Sequence, residues 1–164
     1  MVIMGIDPGL ATIGYGILNS EKGLHTVVDY GVMTTPAKTS IPERLRKIEA
    51  GCIKLYETYK PDAVAIEELF FTKNVTNGIL VAQARGVILL TLSARAPALY
   101  EYTPNQIKQG LTGYGGAEKY QVQQMVKALL KLKEIPRPDD AADALAIALC
   151  HATLGKLCEN FRIT

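Results

Sequence analysis

The sequence predicts an α/β fold in which a five-stranded mixed sheet is flanked by helices on both faces. Short apolar segments alternate with longer segments of helical periodicity, in the order βββαβαβα with extra helices. Very short links join the first three apolar segments, which is typical of an antiparallel meander. The length of 164 residues suits one domain, so we expect residues 1–164 to form a single unit.

Three strands open the chain. The segment "VIMGID", Val2–Asp7, is apolar, and the turn residues of the following Pro-Gly dipeptide end it. "TIGYGILN" at 12–19 and "HTVVDYGVMT" at 25–34 are predicted as two further strands. The short polar segment 20–23 joins these two strands, which favours antiparallel pairing.

A helix and a buried strand follow the meander. Apolar residues recur near helical spacing between Ile41 and Tyr59, and Pro61 ends this helix. The apolar positions expected on its buried face are Leu45, Ile48, Ile53 and Tyr56. "DAVAIEE" at 62–68 contains a continuous apolar run, as expected for a central strand, and this strand ends at Glu67.

The rest of the chain is predominantly helical. The segment 75–93 is apolar on most sides, so one face is expected on the sheet and the other against a second subunit, unless the whole helix is core. "PALYEYT" at 97–103 is the fifth strand. The remaining helices are predicted at 104–111, at 118–132 and from Pro138 onward.

The amino-acid composition indicates the cellular compartment of the protein. Apolar residues make up 48% of the chain and charged residues 21%, which is ordinary for a soluble globular protein. No apolar run is long enough to span a bilayer, and the first residues read as a strand without a signal sequence. Three cysteines without a CxxC pair and two histidines exclude a plausible zinc spacing. We therefore expect a cytoplasmic protein with reduced thiols.

Charge is distributed unevenly. Residues 69–133 carry eight basic side chains and two acidic ones, whereas the remainder carries ten basic and fourteen acidic side chains. This pattern suits a surface that binds a polyanion beside an acidic centre. Solvated helix faces can give similar counts by chance.

The segment "PDDAADALAIALC" places acidic residues at the start of an apolar helix. Asp139 suits a helix cap, because a carboxylate accepts bonds from the free amide groups of the first turn. Asp140 and Asp143 are three residues apart and share one helix face. Asp143 lies in an otherwise apolar stretch and therefore needs a compensating cation. A structural salt bridge and a metal-binding or catalytic pair are both open at this point.

Two further carboxylates end predicted central strands. Asp7 and Glu67 are each at a strand's carboxyl end, the edge of an α/β sheet where ligands collect. If Asp140 and Asp143 packed over that edge, four carboxylates would share one site, and hard divalent cations would relieve their repulsion. Two such ions about 4 Å apart can activate water and stabilise a leaving oxygen in phosphodiester cleavage. Taken singly, Asp7 is equally typical of a turn, and Glu67 of an exposed loop.

Several segments together resemble one family. "GIDPGLATIGYGIL", "AIEELFFTKN", "VAQARGVILL", "EYTPNQIKQGLTGYGGAEKYQVQQMV" and "PDDAADALAIALCHA" are similar, in order, to the motifs of the bacterial RuvC family of Holliday junction resolvases. These enzymes belong to the RNase H-like superfamily of nucleases. The resemblance runs from about Met1 to Ala152. It implies a single RNase H-like nuclease domain over residues 1–164. "GIDPG" alone also resembles the first phosphate motif of actin-like ATPases.

The resemblance implies a function in recombination and repair. Members of the family are homodimeric, structure-selective endonucleases that resolve four-way junctions by paired, symmetric nicks in two strands of the same polarity. The expected ends are ligatable 5′-phosphate and 3′-hydroxyl groups. Two Mg²⁺ ions are expected in each active site, with Mn²⁺ as a substitute. A RuvA–RuvB type branch-migration complex is the implied partner, beside four-way junction DNA.

The resemblance also assigns roles to residues. The implied catalytic residues are Asp7, Glu67, Asp140, Asp143 and Lys119, of which the four carboxylates hold the metal. The implied DNA-binding residues are Phe70, Phe71, Lys73, Asn74, Arg85, Lys108 and Lys119. Phe70 matches the position that stacks on an unpaired base, although both phenylalanines can instead pack inward. The spacing of Gly78, Ala82 and Gly86 allows close approach of a second subunit.

Three rival functions were considered. An actin-like ATPase or sugar kinase needs a second lobe with its own nucleotide motifs, and 164 residues leave no room for one. A YqgF-type nuclease is disfavoured by the "ELFF" and "QARGV" segments. A catalytically inactive junction-binding module gains no support, because all four acidic residues are intact.

Overall fold

A five-stranded mixed sheet forms the centre of the structure, a computed structural model that describes residues 1–69 and 75–163, with backbone alone at 75–77 and 155–156. The strands are β1 Val2–Asp7, β2 Thr12–Glu21, β3 Leu24–Thr34, β4 Ala63–Glu67 and β5 Leu99–Tyr102. Their order across the sheet is β3-β2-β1-β4-β5. The first three strands are antiparallel, and β1, β4 and β5 are parallel. The predicted fold class is confirmed.

Helices cover both faces of this sheet. They are α1 Ile41–Tyr59, α2 Val75–Ser93, α3 Pro104–Thr112, α4 Lys119–Leu129, α5 Asp139–Leu154 and a 3₁₀ helix, Gly155–Phe161. The predicted bounds of α1 and α2 are correct, whereas α4 ends three residues earlier than predicted. Lys131, just beyond it, adopts a left-handed backbone with a φ of 53°. Within 1–69 and 75–163, no helix has the length and apolar character needed to cross a membrane.

Alternation along the strands divides the core into two layers. In β1, Ile3 packs with the buried residues of α5, whereas Met4 and Ile6 pack with those of α1 and α2. The alternation in β4 is the same, because Ala63 and Ala65 lie on the α5 side. This is the period of two that a β-strand imposes on its side chains. Both faces of the central strands are therefore buried.

Small residues bring α5 unusually close to the sheet. A Cβ atom added at Gly5 would overlap the carbonyl oxygen of Ala144, and one added at Gly14 would overlap the carbonyl oxygen of Asp140. The backbone of α5 therefore rests directly on the backbone of β1 and β2. The alanine-rich composition of α5 follows from this packing, since larger side chains would hold the helix away from the strands.

The buried face of α1 differs from the predicted one. The buried residues are Arg44, Ile48, Cys52 and Leu55. Leu45, Ile53 and Tyr56 are only partly buried. Their spacing is equally helical, but it defines a stripe at the flank of the buried face. The predicted set therefore contains one residue of the buried face, Ile48, and lacks Arg44, Cys52 and Leu55.

The C-terminal segment, for which no function is predicted, packs against β5. Arg162 forms a β-bridge with Tyr100, and the amide of Ile163 donates to the carbonyl of Leu99 over 2.9 Å. The rings of Phe161 and Tyr102 have centroids 5.1 Å apart. This segment therefore covers the outer edge of the sheet.

The helical histidine has a different role from the predicted one. Its position near the end of the apolar helix in the sequence favours a contact of His151 with the helix dipole over a ligand role. Instead it is buried, and its Nδ1 lies 2.7 Å from the hydroxyl oxygen of Tyr102. Burial lowers the pKa of His151 to about 4, against the raising influence of Glu159. A neutral imidazole inside the core follows from this environment.

Candidate active site

Strand geometry brings the first two carboxylates to one face of the sheet. Asp7 continues the Ile3 and Gly5 series of β1, and Glu67 continues the Ala63 and Ala65 series of β4, so both belong to the α5 side. The parallel register pairs Ile6 with Ile66, one residue before them. Asp7 and Glu67 therefore end neighbouring strands at the same edge.

The first two turns of α5 add the other two carboxylates. Asp140 and Asp143 lie three residues apart and share the helix face that meets the sheet edge. Gly14, on which the Asp140 carbonyl rests, is the cross-strand partner of Asp7. The backbone contact therefore fixes α5 beside the end of β1. Residues from three separate parts of the chain meet here, as predicted.

Mutual repulsion and burial shift the protonation of Asp7. Burial is the largest cause that raises the pKa of Asp7, to about 8. The charges of Glu67, Asp143 and Asp140 raise it further, and Lys119 opposes them. Asp7 is therefore the carboxylate that all the others influence, which places it at the centre of the group.

The neighbouring acids show the same pattern more weakly. Burial, followed by the charge of Asp143, raises the pKa of Glu67 to about 7, while Lys119 and Lys108 lower it. Burial also raises the pKa of Asp143, despite its hydrogen bond with Lys119. A site in which several neighbouring carboxylates have raised pKa values favours a bound cation.

Lys119 supplies a cation from the first residue of α4. Its Nζ lies 2.8 Å from Oδ2 of Asp143 and 3.5 Å from Oδ2 of Asp139. Burial lowers the pKa of Lys119, but its bond to Asp143 and the two acidic charges outweigh burial and raise it. Asp139 also pairs with Arg137. Asp139 is thus an ion-pairing residue at the helix start, as expected for an acid outside the catalytic set.

A small cavity connects the basic and acidic side chains. Its volume is about 170 Å³, and Glu67, Asp143, Lys108 and Lys119 are among its lining residues. Apolar side chains of α3, α4 and α5 form the rest of its wall. The two predicted lysines therefore face the same space as two of the predicted carboxylates.

The donor set suits a hard cation. Carboxylate oxygens are the ligands that Mg²⁺ and Mn²⁺ prefer, and no thiol or imidazole takes part in the cluster. In residues 1–69 and 75–163, no three His, Cys, Asp or Glu side chains are already grouped around one metal position. The four carboxylates interact electrostatically, with Lys119 as a partial counter-ion. Asp7, Glu67, Asp140 and Asp143 are the residues that could hold the ions.

Arg85 braces the strand that carries Glu67. Its guanidinium pairs with Glu101 of β5, and its Nε donates to the carbonyl oxygen of Glu67 over 3.3 Å. The side chain is mostly buried. The predicted contact between Arg85 and DNA stays a prediction, and the contacts observed within the chain are those of a positioning residue.

Other predicted residues fall elsewhere. Phe70, Phe71, Lys73 and Asn74 lie outside the described residues. In α2, Gly86 is exposed, and an added Cβ would meet nothing within 4 Å. Gly78 and Ala82 are partly buried. Ile79 and Leu90 are exposed on this helix, by 54% and 74%.

One residue at the site was missed. Arg44 of α1 lines a second cavity, which also contains Asp140 and the β1–β2 loop. In the sequence it appears within "PERLRK", where a basic residue is normally solvent-facing. The available signal was its spacing, because Arg44, Ile48, Cys52 and Leu55 follow one helix face.

Known proteins are similar to this chain over nearly its whole length. The family model described as "Crossover junction endodeoxyribonuclease RuvC" matches residues 3–151. A protein of that name from Alkaliphilus oremlandii is 53% identical over 163 residues, which cover 99% of each chain. The solved RuvC structure from Thermus thermophilus is 38% identical, with a TM-score of 0.89 and 96% of each chain covered. A structure of T. thermophilus RuvC in complex with a Holliday junction substrate is 35% identical, has a TM-score of 0.86 and covers 96% of each chain. The chain therefore belongs to the RuvC family of crossover junction endodeoxyribonucleases.

Proposed function

We propose that this protein resolves Holliday junctions in recombination and DNA repair by making paired, symmetric nicks in two strands of the same polarity. The observation that carries the proposal is the convergence of Asp7, Glu67 and the two α5 carboxylates at one sheet edge, with Lys119 beside them. Hydrolysis that leaves 5′-phosphate and 3′-hydroxyl ends gives nicks that a ligase can seal.

Membership of the RuvC family implies dependence on a divalent metal. We propose Mg²⁺, with Mn²⁺ as a substitute, held by Asp7, Glu67, Asp140 and Asp143 as two ions in each site. When bound, such ions supply an activated water and stabilise the leaving oxygen of the phosphodiester. The oxygen-only donor set and the raised pKa values of Asp7 and Glu67 support this assignment.

The lysines have complementary roles in this proposal. Lys119 lowers the pKa of Asp143 through their 2.8 Å contact, against the raising effect of burial, and presents a positive charge to the reacting phosphate. Lys108 of α3 lines the cavity that Lys119 also lines. In this proposal it contacts phosphate groups of the DNA strand. The excess of basic residues in 69–133 supports a DNA-binding surface around the acidic centre.

We propose a homodimer in which each subunit cuts one strand, because two symmetric nicks require two sites related by a twofold axis. The exposed face of α2 supports this interface: Leu90 and Ile79 are large apolar residues in contact with solvent, and Gly86 leaves room for close approach. Leu90→Glu is expected to produce monomers in sedimentation equilibrium and to uncouple the two nicks. A dimer that persists in this variant would place the interface elsewhere.

Membership of the family supports further proposals about DNA contacts, a protein partner and the cellular compartment. Phe70 is proposed to stack on an unpaired base at the crossover, with Phe71, Lys73, Asn74 and Arg85 contributing to DNA binding. A RuvA–RuvB type complex is the proposed branch-migration partner. The cytoplasm is the proposed compartment, and the free cysteines among the described residues are consistent with a reducing environment.

Cleavage of labelled synthetic junctions tests the proposal. Wild-type protein, Asp7→Asn and the matched control Asp139→Asn are compared on four-way junctions and linear duplexes, with Mg²⁺ or with EDTA. We expect paired symmetric nicks in the junction alone, lost with EDTA and in Asp7→Asn but retained in Asp139→Asn. End-labelling with a ligase and a kinase identifies the 5′-phosphate and 3′-hydroxyl groups.

The outcomes separate the alternatives. Tight junction binding by wild-type protein without cleavage on several junction sequences would support an inactive binding module. Cleavage of duplex and junction at equal rates would indicate a nuclease without structural selectivity. Equal loss of activity in Asp139→Asn and Asp7→Asn would mean that the catalytic set extends to the helix start.

A further inference from the structure

A cavity of about 440 Å³ adjoins the acidic centre at Asp140. Its lining residues are Gly9, Leu10, Ala11, Thr12, Arg44, Leu80, Val81 and Asp140. The β1–β2 loop, which directly follows Asp7, forms one wall, and α1, α2 and α5 form the others. The two charged residues in this lining are Arg44 and Asp140, and they come from opposite walls.

Arg44 is held at the base of this cavity. It is only 8% exposed, although it carries a permanent positive charge. Its Nε donates to Oγ1 of Thr35 over 2.8 Å, and that hydroxyl donates to the carbonyl oxygen of Leu10 over 2.6 Å. The amide of Thr35 donates to the carbonyl oxygen of Ala11 over 2.9 Å. The chain therefore fixes both the guanidinium and the loop in front of it.

The outer part of the guanidinium lacks a protein partner. In the described part of the chain, Nε is the side-chain nitrogen of Arg44 with a hydrogen bond, and none of the ion pairs involves Arg44. No buried side-chain nitrogen or oxygen there lacks a partner, so the two terminal nitrogens must reach the open cavity. A nearly buried arginine without a carboxylate is costly unless an anion satisfies it.

The shape and charge of the cavity select the anion. Two parallel N–H groups of a guanidinium match two oxygens of a phosphate or a carboxylate. The cavity has room for a phosphodiester and opens beside the carboxylates that are proposed to hydrolyse DNA. A phosphate bound there would be a neighbour of the reacting phosphate on the same strand.

We propose that the Arg44 cavity binds a backbone phosphate of the cleaved strand, adjacent to the scissile one, and so sets the register of that strand over the metal ligands. The inference rests on the proposed function, since it takes the substrate to be junction DNA. Arg44 is then a binding and positioning residue. It does not touch the reacting atoms.

The test is a phosphate-by-phosphate binding measurement in the Asp7→Asn background with Mg²⁺, where the junction stays intact. Junctions carry a single neutral methylphosphonate at successive positions around the cleavage point. We expect one position at which neutralisation weakens binding about tenfold, and at which adding Arg44→Met causes no further loss. Arg44→Met should also reduce the slope of log Kd against log salt by about one.

Two variants separate phosphate binding from a purely structural role. Thr35→Val removes the hydroxyl that braces the loop and accepts from Nε of Arg44, but it keeps the guanidinium charge. The salt slope should therefore remain, and the sensitive position should weaken less than in Arg44→Met. Val81→Asp places an acid in the α2 wall, which would pair with Arg44, so it should abolish the sensitive position without altering Arg44. Val81→Asp also keeps the proposal testable if Arg44→Met does not fold.

Three outcomes would overturn the proposal. If the loss of binding caused by each methylphosphonate is the same in Arg44→Met as in the parent protein, Arg44 contacts no phosphate. Loss of the effect in Thr35→Val, to the same extent as in Arg44→Met, would assign the residue to loop bracing. If inorganic phosphate stabilises the metal-free protein through Arg44 but no phosphate position in the DNA is sensitive, the cavity binds free anions and not the DNA strand. Absence of junction binding by the parent protein would refute the proposed function itself.

Discussion

Lys119 Nζ lies 2.8 Å from Oδ2 of Asp143, although the two residues are 24 positions apart in the sequence. The contact joins the first turn of α4 to the second turn of α5. It places one permanent cation against a group of carboxylates whose pKa values are raised. Lys119 therefore partly neutralises the charge of the acidic centre. Its effect on cleavage can be measured by substitution.

Lys119→Met should lower the single-turnover rate of junction cleavage by about 10²–10³, because one preorganised charge near the reacting phosphate is lost. The acidic limb of the pH–rate profile should move to higher pH, since Asp143 and Glu67 lose the charge that lowers their pKa. Lys127→Met, which changes another lysine of α4, is the control. If Lys119→Met cleaves at the full rate with an unchanged pH–rate profile, Lys119 has no role in the reaction.

In the metal-free protein, the contribution of Asp7 to stability should decrease as pH rises from about 4 to about 8. Folding raises the pKa of Asp7 from 3.8 to about 8, so the folded state binds more protons than the unfolded state in this window. Stability from this group is thus greatest below pH 4 and decreases toward pH 8. In EDTA at pH 8, Asp7→Asn should melt higher than wild-type protein, by about 3 °C for each kcal/mol gained.

The matched control for Asp7→Asn is Glu68→Gln, which changes an exposed acid next to Glu67. This variant should follow the wild-type dependence of Tm on pH. Addition of Mg²⁺ should remove most of the difference between wild-type protein and Asp7→Asn, because bound cations stabilise the ionised carboxylates. Parallel Tm curves for wild-type protein and Asp7→Asn in EDTA would contradict the buried placement of Asp7.

Gly14→Ala should destabilise the protein by about 1–3 kcal/mol and reduce cleavage. The added methyl group would overlap the Asp140 carbonyl, so α5 must move away from β2. Gly115→Ala is the control, because its Cβ would meet atoms no closer than 3.4 Å. Denaturant unfolding and cleavage rates are compared for both. Equal behaviour of the two variants would show that α5 tolerates displacement.

His151→Gln should weaken the protein at neutral pH by about 1–3 kcal/mol, because it removes the partner of the buried Tyr102 hydroxyl. The pKa of His151 is lowered to about 4, so the unfolded state binds the extra proton between about pH 6.5 and pH 4. Its contribution to stability is present above pH 6.5 and lost in acid. His151→Gln should therefore show a smaller loss on acidification, measured by urea unfolding at pH 7 and pH 4.5. The same loss in wild-type protein and variant would argue against a neutral buried imidazole.

The pair Arg85 and Glu101 distinguishes strand bracing from DNA contact. If Arg85 positions Glu67, then Glu101→Gln and Arg85→Met should both slow cleavage, with little change in the salt dependence of junction binding. If Arg85 contacts phosphate, Glu101→Gln should strengthen junction binding, whereas Arg85→Met should weaken it. Cleavage rates and titrations at several salt concentrations decide between these roles.

Much of the site was predictable because it depends on regular geometry. Asp7 and Glu67 end strands that are apolar throughout, and alternation with a period of two fixes the face on which each lies. The three-residue spacing of Asp140 and Asp143 similarly fixes their shared helix face. These are local consequences of strand and helix repeats, and the sequence contains the repeats directly.

The features that escaped prediction depend on contacts between distant segments. Arg44 is buried because Thr35 and the β1–β2 loop accept and surround it, and neither is adjacent to it in the sequence. His151 is neutral because it is buried against Tyr100 and Tyr102 of β5. No periodicity of α1 or α5 encodes those partners, so the surroundings of Arg44 and His151 could not be predicted from their own helices.

The backbone contact between Gly14 and Asp140 has a consequence for ion choice. Because the α5 main chain rests on the strands, the frame that carries Asp7 and Asp140 cannot widen or narrow to suit ions of different radius. Carboxylate rotation about its own side-chain bonds is the adjustment that remains. Crystals grown with Mg²⁺, Mn²⁺ or Ca²⁺ should then superimpose in their main chain and differ in carboxylate torsion angles, so discrimination between ions becomes a matter of rotamers on an unmoving scaffold.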